Sequence, residues 1–257
     1  MHSEWKICVY CLQSILGMNI KVLLPALLDT KEQIQMTNDC RDSLVSKDCN
    51  IEIIEDNKVY DTRVAGVWNA FLDKYRYSDR RSDDVWYGSP DEYDYLMITA
   101  NDTIADPNAI DYMVKCAEEN PNAAIITGKV DRNYNRFMKK SGKREYTSEL
   151  TKGLIDPACF LIRRGVIEKV GRIDDYFPVE FVERDYIHRC KLAGYDVVQP
   201  DVVLWYHPPF AGTIGNDDDR LRFYLRRYLS KWGGDANAEV YKYPFNDLSL
   251  DYTYCEK

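Results

Sequence analysis

Between residues 19 and 206, short apolar runs alternate with longer stretches of helical spacing. Asn19–Leu24 has the pattern of a buried strand, stopped at Pro25, which has no amide hydrogen for a ladder. Lys31–Val45 has helical spacing, with Asp29 or Thr30 available as its cap. Ile51–Ile54 is a second short strand that runs into Glu55-Asp56-Asn57. In Arg63–Tyr75, Val64, Val67, Trp68, Phe71 and Leu72 fall on one helical stripe. Residues 76–92 are polar and turn-rich and read as a loop. Tyr95–Thr99 is apolar and ends in Ala100-Asn101-Asp102-Thr103. A helix over Pro107–Glu119 follows, with proline in its permitted first turn.

Further on, Ala123–Thr127 and Ala158–Ile162 read as strands and Gly165–Val170 as a short helix. Arg132–Lys152 is basic and poorly periodic, an excursion from the sheet. Glu183–Ala193 is a helix with Val182, Tyr186, Cys190 and Ala193 on its buried face, and Gly194 sits where a C-terminal cap belongs. Val202–Tyr206 is the last strand, and Asp218–Trp232 is a helix before an aromatic tail. This alternation predicts an α/β fold, a mostly parallel central sheet flanked by helices. Residues 1–17 read as an N-terminal extension, 18–207 as the body and 208–257 as a C-terminal tail or lid.

A chain of 257 residues buries about three-quarters of its unfolded surface, so it needs neither disulfides nor metal merely to fold. Eight cysteines are scattered without a framework, which predicts reduced thiols in a cytoplasmic protein. Cys8 and Cys11 form a CxxC, but no second pair follows at zinc-ribbon spacing. No apolar run approaches the ~20 residues of a spanning helix, and the first seventeen residues lack the pattern of a secretory signal. With 34 basic and 42 acidic side chains the net charge is −8, which argues against a general nucleic-acid partner.

Ligands of open α/β sheets bind beyond the carboxyl ends of the strands. Three such ends carry polar groups here: the segment from Pro25, Glu55-Asp56-Asn57, and Asn101-Asp102-Thr103. Glu183 and Asp185 lie near the start of a helix, where the dipole favours carboxylates. His207 follows the last strand. A carboxylate and an imidazole with open positions form a workable site for Mn2+ or Mg2+ bridging phosphate oxygens.

The ordered strings PALLDT, EDN, VAGVWNAF, YLMITANDT, GRIDDYFPVEFVERDYIHRCKLAGY and VVLWYH resemble the family-2 glycosyltransferases of the GT-A fold, over roughly Asn19 to His207. LRRYLSKWGG and KYPFN are similar to the tails of some bacterial and viral members. The resemblance implies an inverting transferase that uses a nucleotide-sugar donor (UDP-, GDP- or dTDP-linked), Mn2+ or Mg2+, and an acceptor hydroxyl. It implies donor-binding roles for Pro25, Ala26, Leu27, Asp56, Asn57, Arg63, Asn69, Asn101 and Asp102. Asp102 and His207 would face the metal, and Asp174 and Asp175 the acceptor. Glu183 or Asp185 would be the general base. Ala100 precedes Asn101, leaving Asp102 as the one acid of its motif, and Val182 stands where a glutamate is common. Two alternatives remain: a non-catalytic nucleotide-sugar binder of the same fold, and a DNA-modifying viral glycosyltransferase touching phosphates through Lys139, Lys140, Lys143 and Arg144.

Overall fold

A computed structural model describes residues 17–26, 28–56, 59–76, 93–151, 158–177, 180–209 and 218–232. Their strands, in chain order, are β1 (Asn19–Pro25), β2 (Asn50–Asp56), β3 (Tyr95–Thr99), β4 (Ile104–Ala105), β5 (Ala123–Thr127), β6 (Lys129–Asp131), β7 (Cys159–Arg163), β8 (Asp196–Val198) and β9 (Val203–Tyr206). The helices are α1 (Lys31–Ser43), α2 (Val59–Arg76), α3 (Ala109–Glu119), α4 (Tyr134–Lys140), α5 (Arg164–Val170), α6 (Val182–Leu192) and α7 (Asp218–Trp232).

The central sheet runs β2-β1-β3-β7-β5-β8, and only β7 is antiparallel to its neighbours. Every residue of β3 and β5 is buried, as expected of strands covered on both faces. Side chains alternate between those faces. Leu96 and Ile98 join the cluster formed with α2, α5, α6 and α7, whereas Tyr95 and Met97 join the one formed with α1 and α3. The mixed α/β, mostly parallel sheet flanked by helices is therefore the architecture that the alternation predicts.

Local chemistry sets the helix ends. Thr30 is the cap of α1: Gln33 N donates to Thr30 Oγ1 at 3.1 Å, and Thr30 N donates to Gln33 Oε1 at 3.0 Å, a reciprocal capping box. After α6, Gly194 adopts φ +88°, and Tyr195 N donates to Cys190 O. Cys40, Cys116, Cys159 and Cys190 are buried thiols outside any disulfide. Among the described residues no helix is long and apolar enough to cross a membrane.

Several elements differ from the sequence reading. α2 begins at Val59, four residues before Arg63. The basic stretch contains α4, capped by Asn133, whose Oδ1 accepts from Arg136 N. Val203–Tyr206 belongs to a second sheet, β4-β9-β6, formed as the chain leaves the carboxyl end of the first. The CxxC and nearly all of residues 76–92 lie outside the described residues.

Gly128 links β5 to β6 where the two sheets meet. A Cβ there would lie 2.2 Å from Trp205 Nε1 and 2.3 Å from its Cδ1, and Trp205 is fully buried. Gly128→Ala is expected to destabilise the protein by about 1–3 kcal/mol, read as a lower urea midpoint at unchanged slope. His188 of α6 is also fully buried, its ring 4.1 Å from that of Trp232. Burial first, then the charges of Lys191 and Lys231, lower its pKa from 6.5 to about 3. An unfolded chain takes up a proton below 6.5 that the folded protein refuses. Stability therefore falls as pH drops from 6.5 towards 3, by at most about 1.4 kcal/mol per pH unit from this group. Denaturation of the wild type and His188→Gln at pH 7 and pH 5 is expected to show a shallower loss in the variant.

Candidate functional site

Parallel pairing brings Pro25, Asp56 and Thr99 to the same sheet edge. Pro25 lies opposite Asp56, and Ala26 N donates to Asp56 O at 2.8 Å. Beyond β3 the chain turns through Ala100–Thr103 on a buried polar footing. Ala100 N donates to Ala158 O at 3.0 Å, and Thr103 Oγ1 donates to Ala100 O at 2.8 Å. Cys40 of α1 places its thiol on the same carbonyl. Burial first of all, with the charge of Asp102 adding, pushes that thiol up to about 11. Asn101 Nδ2 donates to Thr37 Oγ1 at 3.0 Å, so Asn101 turns its amide to α1. Asp102 turns to His207.

That meeting is a consequence of register. β4 and β9 pair antiparallel with Ile104 opposite Tyr206, which carries His207 back beside Asp102. His207 Nε2 lies 3.2 Å from Asp102 Oδ1, with the aspartate side chain 4% exposed. On the other flank, β6 is parallel to β9, and Arg132 Nη1 donates to His207 Nδ1 at 2.5 Å. Arginine has no acceptor, so the neutral imidazole accepts at Nδ1 and carries its proton on Nε2, towards Asp102. The pKa of Tyr206, the residue before His207, is raised by burial and then by Tyr134 and Asp102.

A carboxylate and an imidazole suit a hard or borderline divalent cation. Among the described residues no group of three or more His, Cys, Asp or Glu side chains could hold a metal. Asp102 and His207 would thus give Mn2+ or Mg2+ two protein donors, with water and phosphate oxygens filling the remaining positions, a common arrangement for Mg2+. For His207 to offer Nε2 as a ligand, its proton must move to Nδ1 and Arg132 must withdraw.

A second cluster surrounds the start of α6. Phe181 precedes this helix at φ 65°, ψ 8°, the only non-glycine with positive φ among the described residues. Such a backbone costs roughly 1–2 kcal/mol when a Cβ is present. Glu183 is half-buried in the first turn. Asp185 is 1% exposed. Its Oδ1 accepts from Lys231 Nζ at 2.7 Å and from Trp232 Nε1 at 2.8 Å. Arg189 Nε lies 3.2 Å from Oδ2, an ion pair without hydrogen-bond direction.

Asp174 Oδ1 accepts from Tyr176 N at 2.9 Å, and its Oδ2 accepts from Lys231 Nζ at 2.5 Å. Asn69 of α2 holds the same turn. Its Nδ2 donates to Ile173 O at 3.0 Å and to Asp175 Oδ1 at 2.8 Å, while Ile173 N donates to its Oδ1 at 2.8 Å.

The expected residues therefore fall into two groups. Pro25, Ala26, Asp56, Asn101, Asp102 and His207 gather at the sheet edge; Asn69, Asp174, Asp175, Glu183 and Asp185 gather around α6 and α7. Leu27 and Asn57 lie outside the described residues, as does the side chain of Arg63. Arg132, Thr37, Lys231 and Trp232 were not singled out by the sequence; only the KWGG string pointed towards the last two. Of the basic stretch, Arg144 is buried on Asp106 (2.5 Å) and on Phe137 O (2.9 Å), so it is unavailable to phosphates. Arg227 of α7 lies over the Tyr176 ring at 3.9 Å.

Neither a protein-family model nor a curated protein matches the chain. Among solved structures, it is similar to S. aureus TarS 1-349 in complex with UDP-GlcNAc, at 10% identity and TM-score 0.45 over 83% of this chain and 66% of that one. It is also similar to the mannosyltransferase PcManGT from Pyrobaculum calidifontis in complex with GDP-Man and Mn2+, at 13% identity and TM-score 0.43 over 75% and 58%. The chain spans 60% of another TarS 1-349 structure. Likenesses this distant carry nothing about substrate.

Asn69→Ala removes both partners of the Ile173 backbone and is expected to destabilise the fold by about 1–3 kcal/mol in urea denaturation.

Proposed function

We propose that the chain is a glycosyltransferase of the GT-A type, moving a sugar from a nucleoside-diphosphate donor to an acceptor hydroxyl with inversion and with help from Mn2+ or Mg2+. The supporting observation is the Asp102–His207 pair, 3.2 Å apart at the carboxyl edge that also carries Pro25 and Asp56. The ordered motifs over Asn19 to His207 give the same reading.

In this reading Pro25, Ala26, Leu27, Asp56 and Asn57 border the nucleoside, with Arg63 beside it. Asn101 holds the turn through Thr37, and Asp102 and His207 face the diphosphate. A bound divalent ion supplies positive charge to the leaving group. Glu183 is the base: its carboxylate takes the acceptor proton while the acceptor oxygen bonds to the anomeric carbon. The bond from that carbon to the diphosphate breaks, and the leaving group keeps the electron pair. Asp185 is a positioning residue, because its oxygens already face Lys231, Trp232 and Arg189. Asp174 and Asp175 border the acceptor. The small protein donor set at Asp102 favours a second reading, a nucleotide-sugar binder without turnover.

Glu183→Gln separates the two. With UDP-, GDP- and dTDP-sugars and Mn2+, the wild type is expected to hydrolyse one donor class, and the variant to lose about 10²–10⁴-fold of that rate. The variant should retain the donor-induced rise in melting temperature. Donor binding without hydrolysis in the wild type gives the second reading; full activity in Glu183→Gln excludes it as the base.

A further inference from the structure

Helix α7 is built into the second cluster. Tyr228 and Trp232 are buried in the same core as α2, α5 and α6. The Tyr228 ring packs on Phe181 at 5.4 Å, and the Trp232 indole donates to Asp185. α7 therefore grips the chain at two points, Phe181 and Asp185, and Glu183 lies between them. Phe181 gives α6 no side-chain cap, so no local cap offsets its left-handed backbone. Its carbonyl accepts from Asp185 N at 2.9 Å, and its ring packs on Tyr228 of α7.

Lys231 links this grip to the neighbouring turn. Its Nζ donates to Asp174 Oδ2 at 2.5 Å and to Asp185 Oδ1 at 2.7 Å, with the side chain 22% exposed. The two carboxylates come from different segments, the turn after α5 and the first turn of α6. Without the ammonium, two largely buried carboxylates would lose their shared partner, Asp185 keeping Arg189 and Trp232 while Asp174 keeps only the Tyr176 amide among these contacts.

We propose that Lys231 is a positioning residue: by joining Asp174 to Asp185 it holds the left-handed turn at Phe181 and so fixes the aim of Glu183. The proposal rests on reading Glu183 as the base. It gives α7 a share in the chemistry without contact with the substrate. Misplacing a reacting group by about 1 Å is enough to cost on the order of 10²-fold in rate.

The test uses the full chain and whichever of the three nucleotide sugars the wild type hydrolyses with Mn2+. Lys231→Met keeps the stem length and removes the link; Lys231→Arg keeps the charge and can reach both carboxylates. Lys231→Met is expected to lower kcat about 10–100-fold with donor KM within about twofold of wild type. Lys231→Arg is expected to recover most of the loss. Should Lys231→Met fail to fold, the kcat and KM of Lys231→Gln decide the matter in the same way.

Unchanged kcat in folded Lys231→Met overturns the proposal, as does a loss that appears only in donor KM or one that Lys231→Arg leaves unrepaired. An active Lys231→Met beside an inactive Glu183→Gln rejects this proposal alone. An active Glu183→Gln rejects the reading beneath it.

Discussion

The sheet-edge cluster depends on the antiparallel register of β4 and β9. With Ile104 opposite Tyr206, His207 is carried beside Asp102; a slip of one residue would turn the imidazole to the other face. Two paired positions cannot fix such a register alone. The adjoining Trp205 helps: it is fully buried, and its indole occupies the space above Gly128 that a side chain would need. The bulk of one residue and the missing Cβ of another thus pin the small sheet to the large one. The pair at the edge inherits its geometry from packing several residues away.

Periodicity made most of the large sheet legible in the sequence. β3 and β5 are five-residue apolar runs buried on both faces, and α7 has the bounds its apolar spacing predicts. β4, β6 and β8 have two or three residues each, too few to show alternation, and exist because distant strands pair with them. The candidate residues were legible by type. Their geometry was not. Nothing in ANDT says that Asn101 turns to Thr37 and Asp102 to His207, or that Asn69 grips a turn more than a hundred residues away. Arg132 stood unmarked in a basic stretch, and its position follows only from β6 lying parallel to β9.

Part of the charge of this protein is used internally. The chain carries a net −8, yet several of its cations are committed to internal acceptors: Arg144 to Asp106, Arg189 and Lys231 to Asp185. A basic segment in the sequence therefore overstates the positive surface that an anionic ligand would meet. Arg144 is the clearest case, because its guanidinium neutralises a fully buried aspartate and stacks over Phe137 at 4.5 Å.

The two clusters differ in how readily their contacts exchange. Asp185 and Arg189 are each 1% exposed, and the donors on Asp185 come from a helix rooted in the core. Breaking that arrangement would strand a buried charge at a cost of several kcal/mol. Arg132 is exposed and the His207 side chain 21% exposed, so their contact forms and breaks at little cost in water. In the proposed reaction the base side is therefore set before any ligand arrives, whereas the leaving-group side rearranges on binding. A diphosphate offers Arg132 a stronger acceptor than an imidazole. Once Arg132 moves onto the phosphate oxygens, Nδ1 of His207 can take the proton, and Nε2 is freed beside Asp102. In that reading, binding of the donor and of a divalent cation by Asp102 and His207 would be coupled through Arg132.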